Sequence, residues 1–359
     1  MVEERKVSGA KTVSRRDFLK KSAAATAGAA AAIGAPAVIS STNSKFKWTI
    51  QSHWTPGVWY FETVYREFAR RVEEATAGEI EIDTRTANSV VSTQDILGAV
   101  RRGRLDASFI FPGYWVGELP VAGHLNGNLG TFASHEEMHL FMYEMGALDV
   151  IREAYAERGV YQAGPMSFGG ITVFAREPLV TLDDFRGFNI RSTGTPARVF
   201  ERLGASPTMV HGNELYQAMQ TGIVDGAHWG CVSTGWGMNL QEVSSYIMQP
   251  DMLSHSNGEF IVNMDRWNEL GSDHKRVIHE CVRAMSADAS AHFRHRDFLL
   301  MEEFVQDFGG EIVQMDPSVM EAIQRESMVV VDEISEQDPR YSGRVGEILH
   351  EFMRLTGKV

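Results

Sequence analysis

The sequence predicts an α/β protein of two lobes, in which each lobe is a mostly parallel sheet flanked by helices. Short alternating apolar and polar runs recur between longer amphipathic segments, and this order of strand, helix and strand is typical of doubly wound sheets. About 320 residues follow position 37, more than one hydrophobic core usually holds. Asp273 to Phe308 and Pro317 to Glu333 have apolar positions at helical spacing, which predicts long C-terminal helices.

Residues 1–37 have the features of an export signal. Arg15 and Arg16 lie in a twin-arginine pattern, an Ala-rich apolar run follows from Ser22 to Ile33, and Ala35-Pro36-Ala37 provides small residues for cleavage. The run of about a dozen residues is shorter than the ~20 that a membrane-spanning helix needs. We expect export by the twin-arginine pathway to the periplasm, with a retained N-terminal anchor as the alternative.

The charge balance excludes two classes of partner. Without residues 1–37 the chain carries 27 Lys and Arg against 44 Asp and Glu, a formal net charge of −17. Such a chain repels nucleic acid and anionic lipid head groups. Cys231 and Cys281 are the only cysteines, and we expect free thiols, although the sequence leaves a disulfide open.

The first lobe opens with alternating strand and helix signals. Phe46 to Gln51 predicts a strand, and the loop that follows contains Trp54, an expected wall of a ligand cavity or, equally, a capping aromatic of the core. Tyr60 to Ala75 predicts an amphipathic helix. A later strand is followed by a segment that contains Tyr114, whose hydroxyl could bind a ligand. Further elements are predicted at Glu79–Thr84 (strand), Thr93–Arg102 (helix) and Gly103–Ile110 (turn and strand).

Gly164 to Gly170 predicts a glycine-rich crossover between the lobes. Glycines this dense permit hinge-like rotation, but they suit a plain loop equally well. Ile171 to Ala175 predicts the strand that follows.

The segment from Asp184 to Trp229 predicts a strand, two helices and a strand. Asn189 to Ser192 predicts the first strand, and Thr195 is the expected N-cap of the helix that follows it. A second helix ends at Gly222, and Ile223 to Ala227 predicts a buried strand that leads to His228 and Trp229.

Arg191 is the residue of this segment that points to a ligand. It ends a strand next to a helix N-terminus, where backbone N–H groups and the helix dipole favour an anion. A guanidinium there offers a bidentate fork for a carboxylate. A surface arginine paired with a nearby acid is the alternative.

The same segment resembles the substrate-binding subunit of tripartite ATP-independent periplasmic (TRAP) transporters of the DctP type. The matching stretches are D-F-R-G-F-N-I-R, L-G-A-S-P and E-L-Y-Q-A-M-Q-T-G-I-V-D-G, at Asp184–Arg191, Leu203–Pro207 and Glu214–Gly226. The resemblance implies a two-lobed periplasmic binding protein fold with a hinge, no catalysis, and Arg191 as the carboxylate clamp. It also implies delivery to small and large membrane permease subunits and allows a homodimer.

The resemblance implies where the lobes begin and end. Lobe I is expected to contain residues 45–168 and 255–296, and lobe II residues 169–254 and 297–359.

Within the family the chain resembles most the binding proteins for 2-oxo acids and similar monocarboxylates. In those members a Glu-Trp pair helps to hold a cation; here the pair is His228-Trp229, and the upstream glutamine falls in Phe168 to Gly170. Because Na⁺ and Ca²⁺ prefer oxygen ligands, we expect direct binding of the ligand with no bridging metal and no cofactor. His228 could donate to the ligand, more strongly if protonated, or could be an ordinary core histidine.

The predicted pocket is aromatic. Trp229 is expected to line it with Trp54, Tyr114 and Phe168, with Trp236 nearby, and Asn213 completes the predicted ligand-binding residues. Such walls suit a monocarboxylate with an apolar or ring-bearing body, or a zwitterion such as ectoine held by cation–π contact.

His135-Glu136-Glu137-Met138-His139 matches the zinc motif H-E-x-x-H and supports a rival hypothesis, an exported metal-dependent hydrolase. Against it, Ser134 and Glu137 form a capping-box pattern, which places the motif in the first turn of a surface helix.

Overall fold

The computed structural model describes residues 45–125 and 128–358, except for the side chain of Asn213. The predicted export signal and the predicted binding residue Asn213 therefore lie outside what the structure describes. The described chain contains eleven strands: β1 Phe46–Ser52, β2 Ile80–Arg85, β3 Ala107–Ile110, β4 Val160–Ile171, β5 Val173–Ala175, β6 Asn189–Arg191, β7 Ser206–Thr208, β8 Gly226–His228, β9 Tyr246–Gln249, β10 Leu253–Asn263 and β11 Glu311–Gln314.

Helices cover the faces and edges of these strands. The α-helices described are α1 Arg66–Ala75, α2 Ile96–Arg101, α3 Ala122–Leu125, α4 His135–His139, α5 Ala147–Ala156, α6 Gly194–Arg202, α7 Gly212–Thr221, α8 Val232–Trp236, α9 Met264–Glu269, α10 Ser272–Asp307, α11 Pro317–Gln337 and α12 Arg344–Leu355. Short 3₁₀ helices lie at Thr93–Asp95, Pro112–Trp115, Leu182–Phe185 and Leu240–Glu242, and π-helical turns at Phe61–Tyr65, Leu140–Glu144 and Pro339–Gly343. Within residues 45–125 and 128–358, no helix combines the length and hydrophobicity of a membrane span.

Two sheets confirm the predicted two-lobed α/β fold. The first has the order β2-β1-β3-β10-β4 and the second β11-β9-β5-β8-β6-β7. Pairs β1–β2, β1–β3, β6–β7, β6–β8 and β9–β11 are parallel, whereas β10 and β5 run antiparallel to their neighbours. Each sheet is thus parallel where strand–helix–strand units build it and antiparallel where the chain crosses between lobes.

The predicted crossover loop at Gly164–Gly170 is wrong in its local structure. These residues lie inside β4, a strand of 12 residues that pairs with β10 along most of its length. Register shifts between Leu253 and Asn257 bend this pair where it passes from one sheet toward the other. Gly169 has φ +76°, so the strand carries a residue in the left-handed region at the bend.

Two other boundaries differ from the prediction. The helix after Arg191 begins at Gly194 with Thr193 as its N-cap, two residues before the predicted cap Thr195. The strand predicted from Ile223 begins only at Gly226, because the chain leaves α7 through Gly222 at φ +74° and Ile223 is exposed.

The C-terminal helices pack against both sheets. In α11, Met328 and Val331 belong to the core that surrounds α5, whereas Val330 and Ile334 belong to the core of the second sheet. The buried face of α12, including Phe352, also joins the α5 core. The predicted bounds assign residues 297–359 to lobe II, but this packing puts α12 against the first lobe.

Candidate functional site

A cavity of about 670 Å³, its open mouth included, lies between the two sheets. Part of its lining follows the ends of parallel strands in both lobes, the position at which α/β sheets bind ligands, and part belongs to the antiparallel β4–β10 pair. The lining residues are His53, Trp54, Phe111, Tyr114, Phe168, Ile171, Arg191, Thr193, Pro196, His228, Trp229, Gly230, Thr234 and Ser256. The structure therefore brings together six of the seven predicted binding residues.

Arg191 ends β6 and is 5 % exposed. Its Nε donates to the carbonyl oxygen of Val210 (3.1 Å) and its Nη1 to that of His228 (2.9 Å). The guanidinium lies over the Trp229 ring, 4.5 Å from its centroid. These contacts fix the plane of the guanidinium while Nη2 has no hydrogen-bond partner among residues 45–125 and 128–358.

No carboxylate of the described residues pairs with Arg191. Burial lowers the pKa of Arg191 to about 10, and the neighbouring Tyr114 opposes that shift. The side chain still carries its positive charge at neutral pH. A buried charge without a counter-ion is unfavourable, so this arrangement favours an anion from outside the chain.

Aromatic rings form the walls on the side of the first lobe. Trp54 and Phe168 meet edge to face with ring centroids 5.7 Å apart, and His53 lies 4.4 Å from Trp54 and 5.8 Å from Tyr114. Phe168 rests on Gly258, where a Cβ atom would come within 2.1 Å of the ring. The cavity therefore offers flat apolar surface beside one cation, which suits a ligand with an apolar body.

His228 ends β8 and is 4 % exposed. Burial, followed by the charge of Arg191, lowers the pKa of His228 to about 3. Its Nε2 is buried and has no partner among the described residues. His228 is therefore a neutral imidazole, and the predicted stronger donation from a protonated ring does not apply at neutral pH.

His53 is one of eight lining residues that are not among the predicted binding residues. It directly precedes Trp54 in the loop after β1, and burial lowers its pKa to about 3. His53 follows the predicted strand Phe46–Gln51, which is the same feature that identified Trp54 as a candidate. Trp236, expected near the pocket, instead contacts Phe304 and Phe308 outside the lining.

The cavity lining contains no carboxylate among the described residues. Its polar side chains are a guanidinium, two imidazoles, indoles and the neutral hydroxyls of Tyr114, Thr193, Thr234 and Ser256, whereas Na⁺ and Ca²⁺ are usually held by carboxylate and carbonyl oxygens.

The HEEMH motif adopts the arrangement of a capped helix start. Ser134 Oγ accepts from the backbone N–H of Glu137 (3.3 Å), while the Glu137 carboxylate accepts from the backbone N–H of Ala133 (2.7 Å) and pairs with Lys358. Nδ1 of His135 lies 3.5 Å from Nε2 of His255, and His139 stacks on Tyr143. No group of three or more metal-ligating side chains occurs in the part of the chain that the structure describes.

Comparison with known proteins places this architecture in a family. Residues 51–338 match bacterial extracellular solute-binding protein, family 7 (DctP). A monocarboxylate 2-oxoacid-binding periplasmic protein of Nostoc is 22% identical over 338 residues, covering 91% of this chain and 90% of that protein. The ectoine-binding periplasmic protein TeaA of Halomonas elongata is 28% identical over 146 residues, 38% of this chain and 40% of that protein.

A crystal structure shows the same fold. The TRAP periplasmic solute-binding protein of Pseudoalteromonas atlantica, with bound sodium and pyruvate, superposes with a TM-score of 0.79 at 20% identity, over 87% of this chain and 95% of that one. The chain belongs to the DctP family of extracellular solute-binding proteins, and the resemblance to TRAP substrate-binding subunits is confirmed.

Proposed function

We propose that this member of the DctP family captures a small organic acid in the periplasm and delivers it to a TRAP permease. The observation that carries the proposal is the unpaired, buried guanidinium of Arg191 in the cavity between the lobes. Its free Nη2 would bind the ligand carboxylate, and the two backbone carbonyls hold the fork in place. Because the buried charge is unfavourable alone, the ligand carboxylate stabilises the closed arrangement of the lobes.

The lining favours a ligand with one carboxylate and an apolar or ring-bearing body. Arg191 is the only formally charged side chain in the described lining, since the imidazoles of His53 and His228 are neutral. A second carboxylate would be buried without a counter-ion. The named ligand classes of two similar proteins, a monocarboxylate 2-oxoacid and pyruvate, agree with a single acid group.

We further propose that the ligand binds without a bridging cation. The Pseudoalteromonas protein holds sodium together with pyruvate, whereas the described lining of the cavity here contains no carboxylate and includes His228. A neutral imidazole can donate directly to a carboxylate or hydroxyl oxygen. Binding measured in a sodium-free potassium buffer that contains a chelator of divalent ions should equal binding measured with sodium and calcium added.

Delivery follows from the proposed location. Residues 1–37 would direct twin-arginine export, and the loaded protein would dock on the small and large permease subunits in the membrane. A homodimer is compatible with this role.

The first test is a ligand screen combined with a substitution. Thermal shift should identify a stabilising ligand among 2-oxo acids, lactate-like acids, aromatic acids, sugar acids and ectoine, and calorimetry should then give its Kd. Arg191→Ala should raise that Kd by roughly 30- to 4,000-fold, the equivalent of about 2–5 kcal/mol for a truncated buried charge contact. The melting temperature of the unliganded variant should stay within a few degrees of the wild type.

Arg176→Ala is the matched control, because Arg176 has no ion pair among the described residues and lies outside the cavity lining. Sub-micromolar affinity retained in Arg191→Ala would contradict the carboxylate clamp. Ectoine as the tightest ligand, with affinity that survives Arg191→Ala, would favour the aromatic cage for a zwitterion instead.

A further inference from the structure

A second concave site lies on the first lobe, and the proposed function does not use it. This basic pocket has a volume of about 860 Å³ with its mouth included, and four cations line it: Arg152, Lys275, Arg276 and Arg283. Glu280 is the only acid in its described lining. The basic pocket shares no lining residue with the cavity that contains Arg191. A concentration of positive charge is unexpected on a chain whose formal net charge is −13.

Arg283, like Arg191, lies over an aromatic ring and has no carboxylate partner among the described residues. Its guanidinium lies over the Tyr143 ring at 4.3 Å from the centroid, and its Nη2 donates to Nε2 of His139 (3.4 Å). Its Nε is buried without a partner, and no carboxylate of the described residues pairs with it. Stacking on an aromatic ring orients the guanidinium but leaves its charge without a counter-ion.

The side chains of Arg152 and Lys275 are also oriented mainly by groups that carry no negative charge. Nε and Nη2 of Arg152 donate to the carbonyl oxygens of Gln162 (3.0 Å) and Ala163 (3.2 Å), and Asp149 lies 3.3 Å from Nη1. Lys275 lies over the Trp267 ring at 5.6 Å and has no ion pair among the described residues.

The first turn of α10 adds further positive potential. Ser272 begins this helix of 36 residues and lines the basic pocket, together with Lys275 and Arg276 one turn on. Positive side chains at a helix N-terminus are unfavourable, because that end already carries partial positive charge. Asp273 offsets this through its ion pair with Arg276 (2.6 Å), but Lys275 is left uncompensated. A bound anion would satisfy both the helix end and the cations.

His279, also in the lining, does not add to the charge. Burial, followed by the charges of Arg152 and Arg283, lowers the pKa of His279 to about 4. Its Nε2 lies 3.0 Å from the Tyr161 hydroxyl. The described lining therefore holds four positive charges and one negative charge near neutral pH.

We propose that the basic pocket binds a small, multiply charged oxyanion of the phosphate class, with Arg283 and Lys275 as its principal contacts. The fork of Arg283 provides directed N–H donors, and Lys275 provides a mobile ammonium. The rest of the chain is strongly acidic and repels anions, so general electrostatic attraction cannot account for phosphate binding to this protein.

Inorganic phosphate titrated calorimetrically into the purified protein, at an ionic strength held constant with sodium chloride, tests the proposal. We expect saturable binding of one phosphate per chain. Arg283→Gln and Lys275→Gln should each weaken it about tenfold or more, and the double variant should abolish it. Arg283→Lys should retain part of the affinity, which separates loss of charge from loss of packing on Tyr143.

Two matched variants separate this site from general electrostatics and from the proposed cargo site. Arg85→Gln removes the same charge from an exposed arginine paired with Asp83 and should leave phosphate binding unchanged. Arg191→Ala should lose cargo binding but keep phosphate binding.

If Arg85→Gln weakened phosphate binding as much as Arg283→Gln does, the binding would reflect general electrostatics and the proposal would be overturned. A titration with sodium chloride that released the same heat as the titration with phosphate would overturn it too. Binding to phosphatidylglycerol vesicles without binding of free phosphate would assign the pocket to a lipid surface and would also overturn it. Circular dichroism of each variant checks that the fold is intact.

Discussion

At the scale of single residues, the cavity depends on side chains whose polar groups lack some or all of their partners among residues 45–125 and 128–358. Arg191 is buried and charged but bonds only to backbone carbonyls, and His228 is buried and neutral with an unpartnered Nε2. Most buried polar groups in folded proteins are hydrogen-bonded. His53 Nδ1 and Trp54 Nε1 in the same lining are also buried without a partner among the described residues, and a ligand explains such a concentration better than the requirements of folding do.

Gly258 affects the shape of that cavity, because its lack of a side chain leaves room for the Phe168 ring. A Cβ atom at this position would come within 2.1 Å of the Phe168 ring, which is enclosed by Trp54, Tyr60 and Phe109. We expect Gly258→Ala to push the ring toward the cavity and to raise the Kd of the cargo at least about tenfold. Overpacking of this kind costs about 1–3 kcal/mol, so the melting temperature should fall as well.

Calorimetry and thermal unfolding of three variants check this expectation. Gly117→Ala is the control, because nothing lies within 4 Å of the atom that it adds. Phe168→Leu combined with Gly258→Ala should recover part of the affinity by removing ring atoms. Unchanged affinity in Gly258→Ala would show that Phe168 does not shape the ligand site.

Some of these residues could be predicted from the sequence, and others could not. Arg191, Trp229 and Tyr114 were predictable because each follows a strand signal next to a turn or a helix start. The ionisation state of His228 was not predictable. It depends on how the end of β8 is buried against α6, and that burial comes from tertiary packing.

At the scale of elements, the β4–β10 pair connects the two sheets. The sequence predicts a crossover or a plain loop at Gly164–Gly170 because of its dense glycines, and the structure pairs this stretch with Ser254–Gly258. Both stretches are strands in the structure, since each pairs with the other over a long register. Propensity was overridden by pairing between segments about 90 residues apart, which a local pattern cannot reveal.

Strand β10 also carries a buried acid, Glu259, that is 0 % exposed. Its Oε1 accepts from the Tyr155 hydroxyl (2.8 Å), and that hydroxyl accepts from Trp115 Nε1 (3.0 Å). Trp115 follows Tyr114, which lines the cavity, so this network holds the segment that presents Tyr114. Burial raises the pKa of Glu259 to about 8, with hydrogen bonds opposing the shift.

The raised pKa predicts how stability responds to pH. Because Glu259 holds its proton more tightly when folded, its contribution to the free energy of unfolding is complete below about pH 4.5 and is lost as the pH rises to about 8. Glu259→Gln keeps a neutral side chain at every pH. Its melting temperature relative to wild type should therefore rise between pH 5 and pH 8.5.

Thermal unfolding at pH 5, 7 and 8.5 measures that difference. Exposed Glu347→Gln is the control and should follow the wild type at a constant offset. Parallel curves for Glu259→Gln and wild type would mean that Glu259 is ionised in the folded protein throughout.

At the scale of the whole molecule, two lobes were predictable because chain length and repeated strand–helix–strand signals both require more than one sheet. The association of α12 with the first lobe was not predictable. Its apolar face specifies that it is buried, but not against which core, and the structure places Leu349 and Phe352 beside α5. The C-terminal helices therefore link the lobes as well as extending one of them.

The molecule as a whole also has an acid-sensitive interior. Burial lowers the pKa of His53, His228 and His255 to about 3 and that of His124 to about 4, so the folded chain cannot take up protons that the unfolded chain binds near pH 6.5. A lowered pKa means stability that is complete above pH 6.5 and is lost as the pH falls toward 4. Each such histidine contributes a slope of at most about 1.4 kcal/mol per pH unit.

His124 isolates this effect because both of its ring nitrogens are buried without partners among the described residues. His124→Leu should flatten the dependence of the free energy of unfolding on pH between 6.5 and 4.5, as measured by urea unfolding. Raised carboxyl pKa values, such as that of Glu259, act in the opposite direction but are common to wild type and variant, so the difference between the two curves cancels them. His292→Gln, at an exposed histidine with no ion pair among the described residues, is the control. If His124→Leu and wild type lose stability equally as the pH falls, the pKa of His124 is the same in the folded and the unfolded chain, and the acid sensitivity comes from other groups.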